Sequence, residues 1–237
     1  MPPRIMTAEA AVALVPEGAS ILCGGFGLCG IPENLVKALV RRGTRNLTVM
    51  SNNAGVADYG IGLLLRNKQV RAMIGTYVGE NEVLESMILN KEIDIQLIPQ
   101  GTFAERVRAH GAGIPAFFTP TGAGTRVAEG KETRVFDGRE YVLERSLGAD
   151  FAFVKAYRGD KTGNLIYRRT TRNFNPMMAT AGKTTIAEVE AIVEPGALDP
   201  EAVVTPGIYV DVLVQGEVYE KRIEKRTYRA PDRPGAA

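Results

Sequence analysis

Glycine, amide and hydroxyl side chains gather at three places in this sequence, and each could hold an anion or stabilise a developing oxyanion. Gly24-Gly25-Phe26-Gly27-Leu28-Cys29-Gly30 follows the apolar run ASILC. Ser51-Asn52-Asn53-Ala54-Gly55 follows NLTVM, and Gln100-Gly101-Thr102 follows IDIQLIP. Glycine-rich backbone offers uncovered N–H groups, and Asn and Gln add neutral side-chain donors. With helix N-termini beside them, these suit phosphates, carboxylates or tetrahedral intermediates. Each also has a plainer use, since Gly permits a tight turn and Asn caps or adopts left-handed backbone. Gln100 is the least expected of them as a loop former.

Gly25-x-Gly27-x-x-Gly30 has the spacing of a dinucleotide-binding fingerprint and stands between a predicted strand and a predicted helix. That reading also requires an acidic residue about 20 positions further on, at the end of the second strand, to hold a ribose hydroxyl. Here the second strand ends Val49-Met50-Ser51-Asn52-Asn53, and no carboxylate appears before Asp58. Pro32 also places the helix start beyond the glycines. The NAD reading is therefore set aside. AGKTT at 181–185 imitates a P-loop, but the first glycine of that motif would have to replace Met177.

The titratable residues remove further classes. His110 is the single histidine of the chain, and near the end of a predicted helix its expected role is a cap. Cys23 and Cys29 have neither metal-site nor disulfide-framework spacing, so no metal site is expected and a reducing cytoplasm is the expected setting. The net charge of +2 is interspersed, which gives no footprint for nucleic acid, and the basic cluster RRTTR reads as solvated surface. MPPRIMTAEA has no apolar core of a signal peptide, and no run of 18 uncharged apolar residues suggests a membrane span.

Elements must bring the three loops together. Thr7 opens a short helix, ASILC is a strand, and Pro32 and Gly43 bracket the helix PENLVKALVRRG. NLTVMS, VRAMIGTYV and IDIQLIPQ are further strands, with a helix in ENEVLESMILN. TFAERVRAH carries a capping box, Thr102 with Glu105. Strands separated by helices imply right-handed βαβ units, a largely parallel sheet, and all three loops on its carboxyl rim. From about Ile114 to 146 the turn-rich texture and Asp137-Gly138 predict an antiparallel β flap. DFAFVKAY, NLIYR, TTIAEVEAIV and GIYVDVLVQ read as more strands. The fold class is α/β, a three-layer open sheet in one domain over 1–228, with a disordered tail over 229–237. On that rim stand donors without a nucleophile–base pair: Glu80 is expected at a helix start and Glu105 in its cap. It reads as half of an active site.

At these residues the sequence resembles the A (alpha) subunit of family I coenzyme A transferases, of the succinyl-CoA:3-oxoacid type. The family pattern is Asp/Asn-Gly, two residues, three apolar residues, Gly-Gly-Phe, three residues, Gly-x-Pro. Here it runs from Glu17-Gly18 through Gly24-Gly25-Phe26 to Gly30-Ile31-Pro32, departing at Glu17 and Cys23. Further similarity covers about residues 3 to 225, including SNNAGVADYGIGLLL, YVGENE, PQGTFAERVRAHGAGIPAFFTPTGAGT and GNLIYRRTTRNFNPMMATAGKTTIAEVEAIVEPG. The resemblance implies that Gly24, Gly25, Phe26, Gly27, Leu28, Cys29 and Gly30 bind coenzyme A, as substrate and not as a resident cofactor. It implies that Gln100, Asn52 and Asn53 are donors. The nucleophilic glutamate would belong to a partner B (beta) subunit in an AB or A2B2 assembly. Transfer to another acid (butyrate, acetate or 3-oxoadipate) and a non-catalytic acyl-CoA- or sugar-phosphate-binding module stand as alternatives.

Overall fold

The computed structural model describes residues 2–223; the tail at 229–237, for which the sequence suggests disorder, lies outside the described residues. Five strand–helix units open the chain. β1 (Arg4–Met6) precedes α1 (Ala8–Val12), β2 (Ser20–Cys23) precedes α2 (Glu33–Arg42), and β3 (Leu47–Met50) precedes α3 (Ile61–Arg66). β4 (Val70–Gly75) precedes α4 (Glu82–Leu89), and β5 (Asp94–Leu97) precedes α5 (Gln100–Gly111). β6 (Ala116–Thr119), β7 (Thr133–Phe136) and β8 (Arg139–Arg145) then form a separate antiparallel sheet. The chain returns through β9 (Ala149–Asp160), β10 (Leu165–Ile166), α6 (Asn175–Ala179), β11 (Gly182–Val193) and β12 (Val212–Gln215).

The main sheet has the order β1-β12-β11-β9-β2-β3-β4-β5, every neighbour parallel, with the two-residue β10 antiparallel on β9. From β2 the chain winds one way to β5, and from β9 it winds the other way to β12. The order therefore reverses between β2 and β9, where a crevice opens at the carboxyl ends of an open parallel sheet. Side chains alternate between two cores, as strand period two demands. Ile21, Cys23, Phe151 and Phe153 pack under α1–α4, while Leu22, Ala152, Val154 and Ala156 pack under α5 and α6. Covering on both faces makes the three layers.

Local signals place several boundaries as expected. Thr7 Oγ1 accepts from Ala10 N at 3.2 Å, and Gly43 ends α2 at φ 75°. Asp137 and Gly138, both at positive φ, turn β7 into β8. The capping box is not formed. α5 starts at Gln100, with Pro99 as its cap residue at φ −52°, so Thr102 falls inside the helix. Its buried hydroxyl has no hydrogen-bond partner among the described residues, and Glu105 pairs with Arg108 instead. Pro99 fixes φ near the helical value at the cap position, and the helix begins three residues earlier than a Thr102 cap would start it. Gln100 is thus the first residue of a helix and not part of a loop.

Asp150 ties the two strands at the switch point together. Its carboxylate accepts from Ser20 Oγ at 2.6 Å and Ser20 N at 3.1 Å, and pairs with Lys183 at 2.9 Å. Ser20 and Lys183 hold its carboxyl down to about 2. A lowered carboxyl contributes stability above its unfolded pKa and loses it as pH falls through the folded one. Asp150→Asn therefore lowers the melting temperature at pH 7. The two melting curves should converge as pH drops from about 4 towards 2; a gap that persists at pH 2 would refute the linkage.

Candidate functional site

Backbone hydrogen bonds continue the sheet past its strand ends and fix the rim. Gly24 N donates to Phe153 O, Ser51 N to Ile74 O, Thr76 N to Asn52 O and Ile98 N to Gly75 O, all between 2.9 and 3.1 Å. Ser51 Oγ adds a bond to Cys23 O at 2.8 Å. Parallel strands thus set the ends of β2, β3, β4 and β5 side by side. A cleft of about 550 Å³ lies there, lined by Phe26, Gly27, Asn52, Asn53, Thr76, Tyr77, Glu80 and Gln100.

Asn52 is the fixed point of the cleft, with 2% of its surface exposed. Its Oδ1 accepts from Gln100 Nε2 at 2.6 Å and from Thr76 Oγ1 at 3.0 Å. Its Nδ2 makes no hydrogen bond to the described residues. Asn53 is half-buried beside it, and Gln100 is exposed on the first turn of α5. Phe26 and Tyr77 stand half out of the surface, 51% and 52% exposed. The amide donors are neutral and no lysine or arginine lines the cleft. Such donors strengthen most when an oxygen gains charge, which favours a transition state over a ground state.

The glycine segment is a hairpin. Phe26 N donates to Cys29 O and Cys29 N to Phe26 O, each at 3.0 Å, around Gly27 at φ 56°. Glycine at the first central position is what this two-residue turn requires. The N–H groups of Gly24, Phe26 and Cys29 are thereby consumed, and those of Gly25, Gly27 and Leu28 make no hydrogen bond to the described residues. Leu28 is buried, and its Cδ2 lies where a Cβ on Gly55 would fall, which seats the hairpin on the Ser51–Gly55 loop.

RRTTR does more than face water. Its arginines are exposed, yet the residues among and after them clamp the hairpin from behind. Asn173 Nδ2 donates to Cys29 O at 3.0 Å, and Asn175 Nδ2 donates to Gly30 O at 3.0 Å. Asn175 Oδ1 accepts from Lys155 N at 2.8 Å, and Cys29 Sγ lies 2.8 Å from Thr170 Oγ1. The structure therefore divides the seven-residue segment. Phe26 and Gly27 face the amide cleft, Gly24 and Gly25 lead into it, and Leu28, Cys29 and Gly30 line a second hollow of about 250 Å³ with Arg168, Arg169 and Lys155.

The helix after the hairpin is not a phosphate site. Glu188, fully buried on β11, accepts from Leu35 N at 2.8 Å and Asn34 Nδ2 at 2.9 Å. Its carboxylate occupies the N-terminal turn of α2, where a dinucleotide fold would place pyrophosphate. Burial pushes the Glu188 carboxyl up to about 7 against those hydrogen bonds. Helix N-termini are expected beside the three loops; the N-terminal turn of α2 is filled by Glu188, while α5 brings its first residue to the cleft.

Thr76 and Tyr77 carry no signal in the sequence that marks them as cleft residues, and Glu80 is expected only at a helix start. Thr76 follows β4 directly, so the rule that places ligands at carboxyl ends of strands already points to it. Glu80 takes left-handed backbone, φ 70°, one residue before Asn81, which caps α4 through Leu84 N at 3.1 Å. His110 lies in the last turn of α5 against Gly148, and AGKTT enters β11. Burial pushes the Cys23 thiol up to about 12, as befits a small core residue. Among the described residues no group of three or more His, Cys, Asp or Glu could hold a metal ion, and no helix is long and apolar enough to cross a membrane.

With that geometry in place, comparison with known proteins is direct. The profile of the coenzyme A transferase family matches residues 5–216. The A subunit of a probable succinyl-CoA:3-ketoacid coenzyme A transferase from Bacillus subtilis is 54% identical over 233 residues, 98% of each chain. The A subunit of a succinyl-CoA:3-ketoacid coenzyme A transferase from Xanthomonas campestris pv. campestris is 57% identical, over 97% of this chain and 96% of its own. Among solved structures, an acyl-CoA transferase from E. coli O157:H7, in a thioester complex with CoA, superposes with a TM-score of 0.80 at 22% identity. It covers 91% of this chain and 47% of that one, and shows the same fold.

Proposed function

This chain belongs to the coenzyme A transferase family, and on that premise we propose that it is the A subunit of a 3-oxoacid CoA-transferase. The enzyme would move CoA between succinyl-CoA and a 3-oxo acid such as acetoacetate. The observation that carries the proposal is the convergence of Gln100, Asn52 and Asn53 on one cleft beside the Phe26–Gly27 hairpin.

The reaction is a ping-pong exchange through covalent intermediates. A B-subunit glutamate attacks the acyl-CoA carbonyl, the CoA thiolate leaves, and a mixed anhydride remains. The thiolate then attacks the glutamyl carbonyl of that anhydride, releasing the first acid as its carboxylate and leaving a glutamyl-CoA thioester. The second acid's carboxylate repeats the two steps in reverse, so atoms and charge balance. Each addition passes through a tetrahedral oxyanion. Gln100 Nε2 spends one proton on Asn52 and offers the other to that oxygen; Asn53 and the Nδ2 of Asn52 are further donors. Residues Gly24–Gly30 receive CoA, with Phe26 and Gly27 facing the reacting end. CoA is substrate, and the enzyme works in the cytoplasm as AB or A2B2.

The test is to assay thioester exchange with this chain alone, with its B partner alone, and with both. Exchange is expected only from the pair, with succinyl-CoA and acetoacetate used faster than butyrate, acetate or 3-oxoadipate. Appreciable exchange from this chain alone would refute the shared site. A faster rate with another acid would reassign the substrate, and acyl-CoA binding without exchange would indicate a binding module.

A further inference from the structure

The geometry points to Tyr77 as the residue that reads the acid, its phenol donating a hydrogen bond to a second oxygen two or three carbons from the reacting carboxyl group. The inference deepens the transferase reading above and rests on it. Thr76 N and Thr76 Oγ1 both donate to Asn52 O at 2.9 Å, so the peptide that leads into Tyr77 is tied to the amide donors. Val78 packs against the core, and Asn81 caps α4 through Leu84 N. Tyr77 stands between these anchors, 52% exposed, and lines the cleft together with Gln100 and Asn53.

The phenol has a fixed seat. A Cβ on Gly79 would fall 2.4 Å from the Tyr77 hydroxyl oxygen and 2.7 Å from Cζ, so the tip of the ring lies against bare Gly79 backbone. Glycine supplies space at this place and not a special backbone angle, since Gly79 does not take positive φ. The hydroxyl makes no hydrogen bond to the described residues. An O–H donor at the tip of an apolar ring is thus left for a ligand. The chemistry of the cleft narrows the choice of ligand group. No lysine or arginine lines it, so the far end of an acid meets neutral donors. Gln100 and Asn53 are assigned to the reacting carbonyl, which leaves Tyr77 for that far end. A neutral donor suits a keto oxygen, and it also serves one oxygen of a distal carboxylate. Acetoacetate carries its keto oxygen two carbons from the carboxyl carbon, and the succinyl group ends in a carboxylate three carbons away. Butyrate has the same four-carbon chain with only hydrogen there. Phe26 offers either chain an apolar wall; such a wall discriminates weakly between the two, and a placed donor discriminates more.

Two variants, each assembled with the B subunit, test this with acetoacetate and butyrate as a matched pair of acceptors. In a ping-pong exchange kcat/KM for the acceptor belongs to its own half-reaction, so the CoA donor does not enter the comparison. Tyr77→Phe keeps the ring and removes the O–H. It is expected to lower kcat/KM about 3- to 10-fold for acetoacetate, the weight of one neutral hydrogen bond, and less than twofold for butyrate. Gly79→Ala keeps the phenol but displaces it from its seat, and should erode the same ratio. A second readout needs no turnover. The chain has eight tyrosines, and 13C labelling at Cζ reports each phenol. The Tyr77 signal, identified by its loss in Tyr77→Phe, should move when acetoacetate is added to the native pair and stay in place with butyrate. An acetoacetate-to-butyrate ratio that survives Tyr77→Phe or Gly79→Ala would overturn the inference, as would equal losses for both acids or a Tyr77 signal indifferent to acetoacetate. A native AB pair without thioester exchange would instead overturn the transferase reading, and the Cζ signal would still decide the role of Tyr77.

Discussion

Gln100→Ala, assembled with the proposed B subunit, is expected to lower kcat by about 10²–10³-fold without separating the pair, the loss characteristic of one missing oxyanion donor. The side chain stands on the first turn of α5, exposed at the cleft, and its one hydrogen bond among the described residues is to Asn52 Oδ1. Truncation therefore leaves no buried group orphaned, because Thr76 still donates to the same oxygen. Alanine is also the better helix former, so α5 keeps its start at position 100 behind the Pro99 cap. Stability should move by less than about 1 kcal/mol, which separates this variant from one that simply misfolds. Gln100→Glu sharpens the test. A carboxylate has no proton for Asn52 Oδ1 and would face a developing negative charge, so it should be at least as impaired as alanine. The measurement is kcat at saturation in both substrates, with gel filtration of the pair. Turnover within twofold of the native enzyme would remove Gln100 from the chemistry; separated subunits would make it an interface residue.

The rim was legible because it depends on local signals and one topological rule. β2, β3, β4 and β5 each end an apolar run, and parallel winding sets their carboxyl ends on one side whatever fills the helices. Gly43 and Asp137-Gly138 mark chain reversals through backbone conformations that few other residues adopt. Three elements escaped for want of pattern, the five-residue α6 among them. α3 is IGLLLR, apolar nearly all round with no helical stripe, and β1 is three residues long, defined only by its pairing with β12. The capping box failed because Thr102 and Glu105 satisfy the spacing whether or not a proline upstream has already begun the helix.

What the sequence could not reveal is long-range. Asn175 meets the glycine hairpin across 145 positions, and Glu188 meets the start of α2 across 153. Both act by filling backbone groups that the local sequence leaves open. The first turns RRTTRNFNP from a basic cluster into the back wall of the hairpin. The second removes a helix N-terminus that the GxGxxG spacing would assign to pyrophosphate. The missing ribose-binding acid had already argued against a dinucleotide; the structure supplies the physical cause.

The back wall leads to the second large effect: Gly24→Ala is expected to destabilise the chain by about 3 kcal/mol or more, at or beyond the upper end of ordinary overpacking. A Cβ at Gly24 would fall 1.8 Å from Asn175 Oδ1 and 2.6 Å from its Cγ. Asn175 has no exposed surface and cannot swing aside without abandoning Lys155 N, Gly30 O and Thr171 O together. The effect is thus steric at Gly24 and polar at Asn175. Asn175→Ala alone should cost a similar about 3 kcal/mol, because it strands a buried N–H and two carbonyls at up to about 1–3 kcal/mol each. The double variant discriminates the mechanism. With Asn175 truncated, the nearest obstacle to the new Cβ is the Asn175 Cα at 3.3 Å, a tight contact but not an overlap. Its loss should therefore fall short of the sum of the singles by about 2 kcal/mol, as expected for residues in direct contact. In a chain of this size each kcal/mol shifts the melting temperature by about 2–4 °C, so calorimetry resolves the difference. Additive losses would show that Gly24 is required for some reason other than the approach of Asn175, and an unshifted Gly24→Ala would show that the hairpin yields to a methyl group. Either result would detach the RRTTRNFNP segment from the support of the cleft.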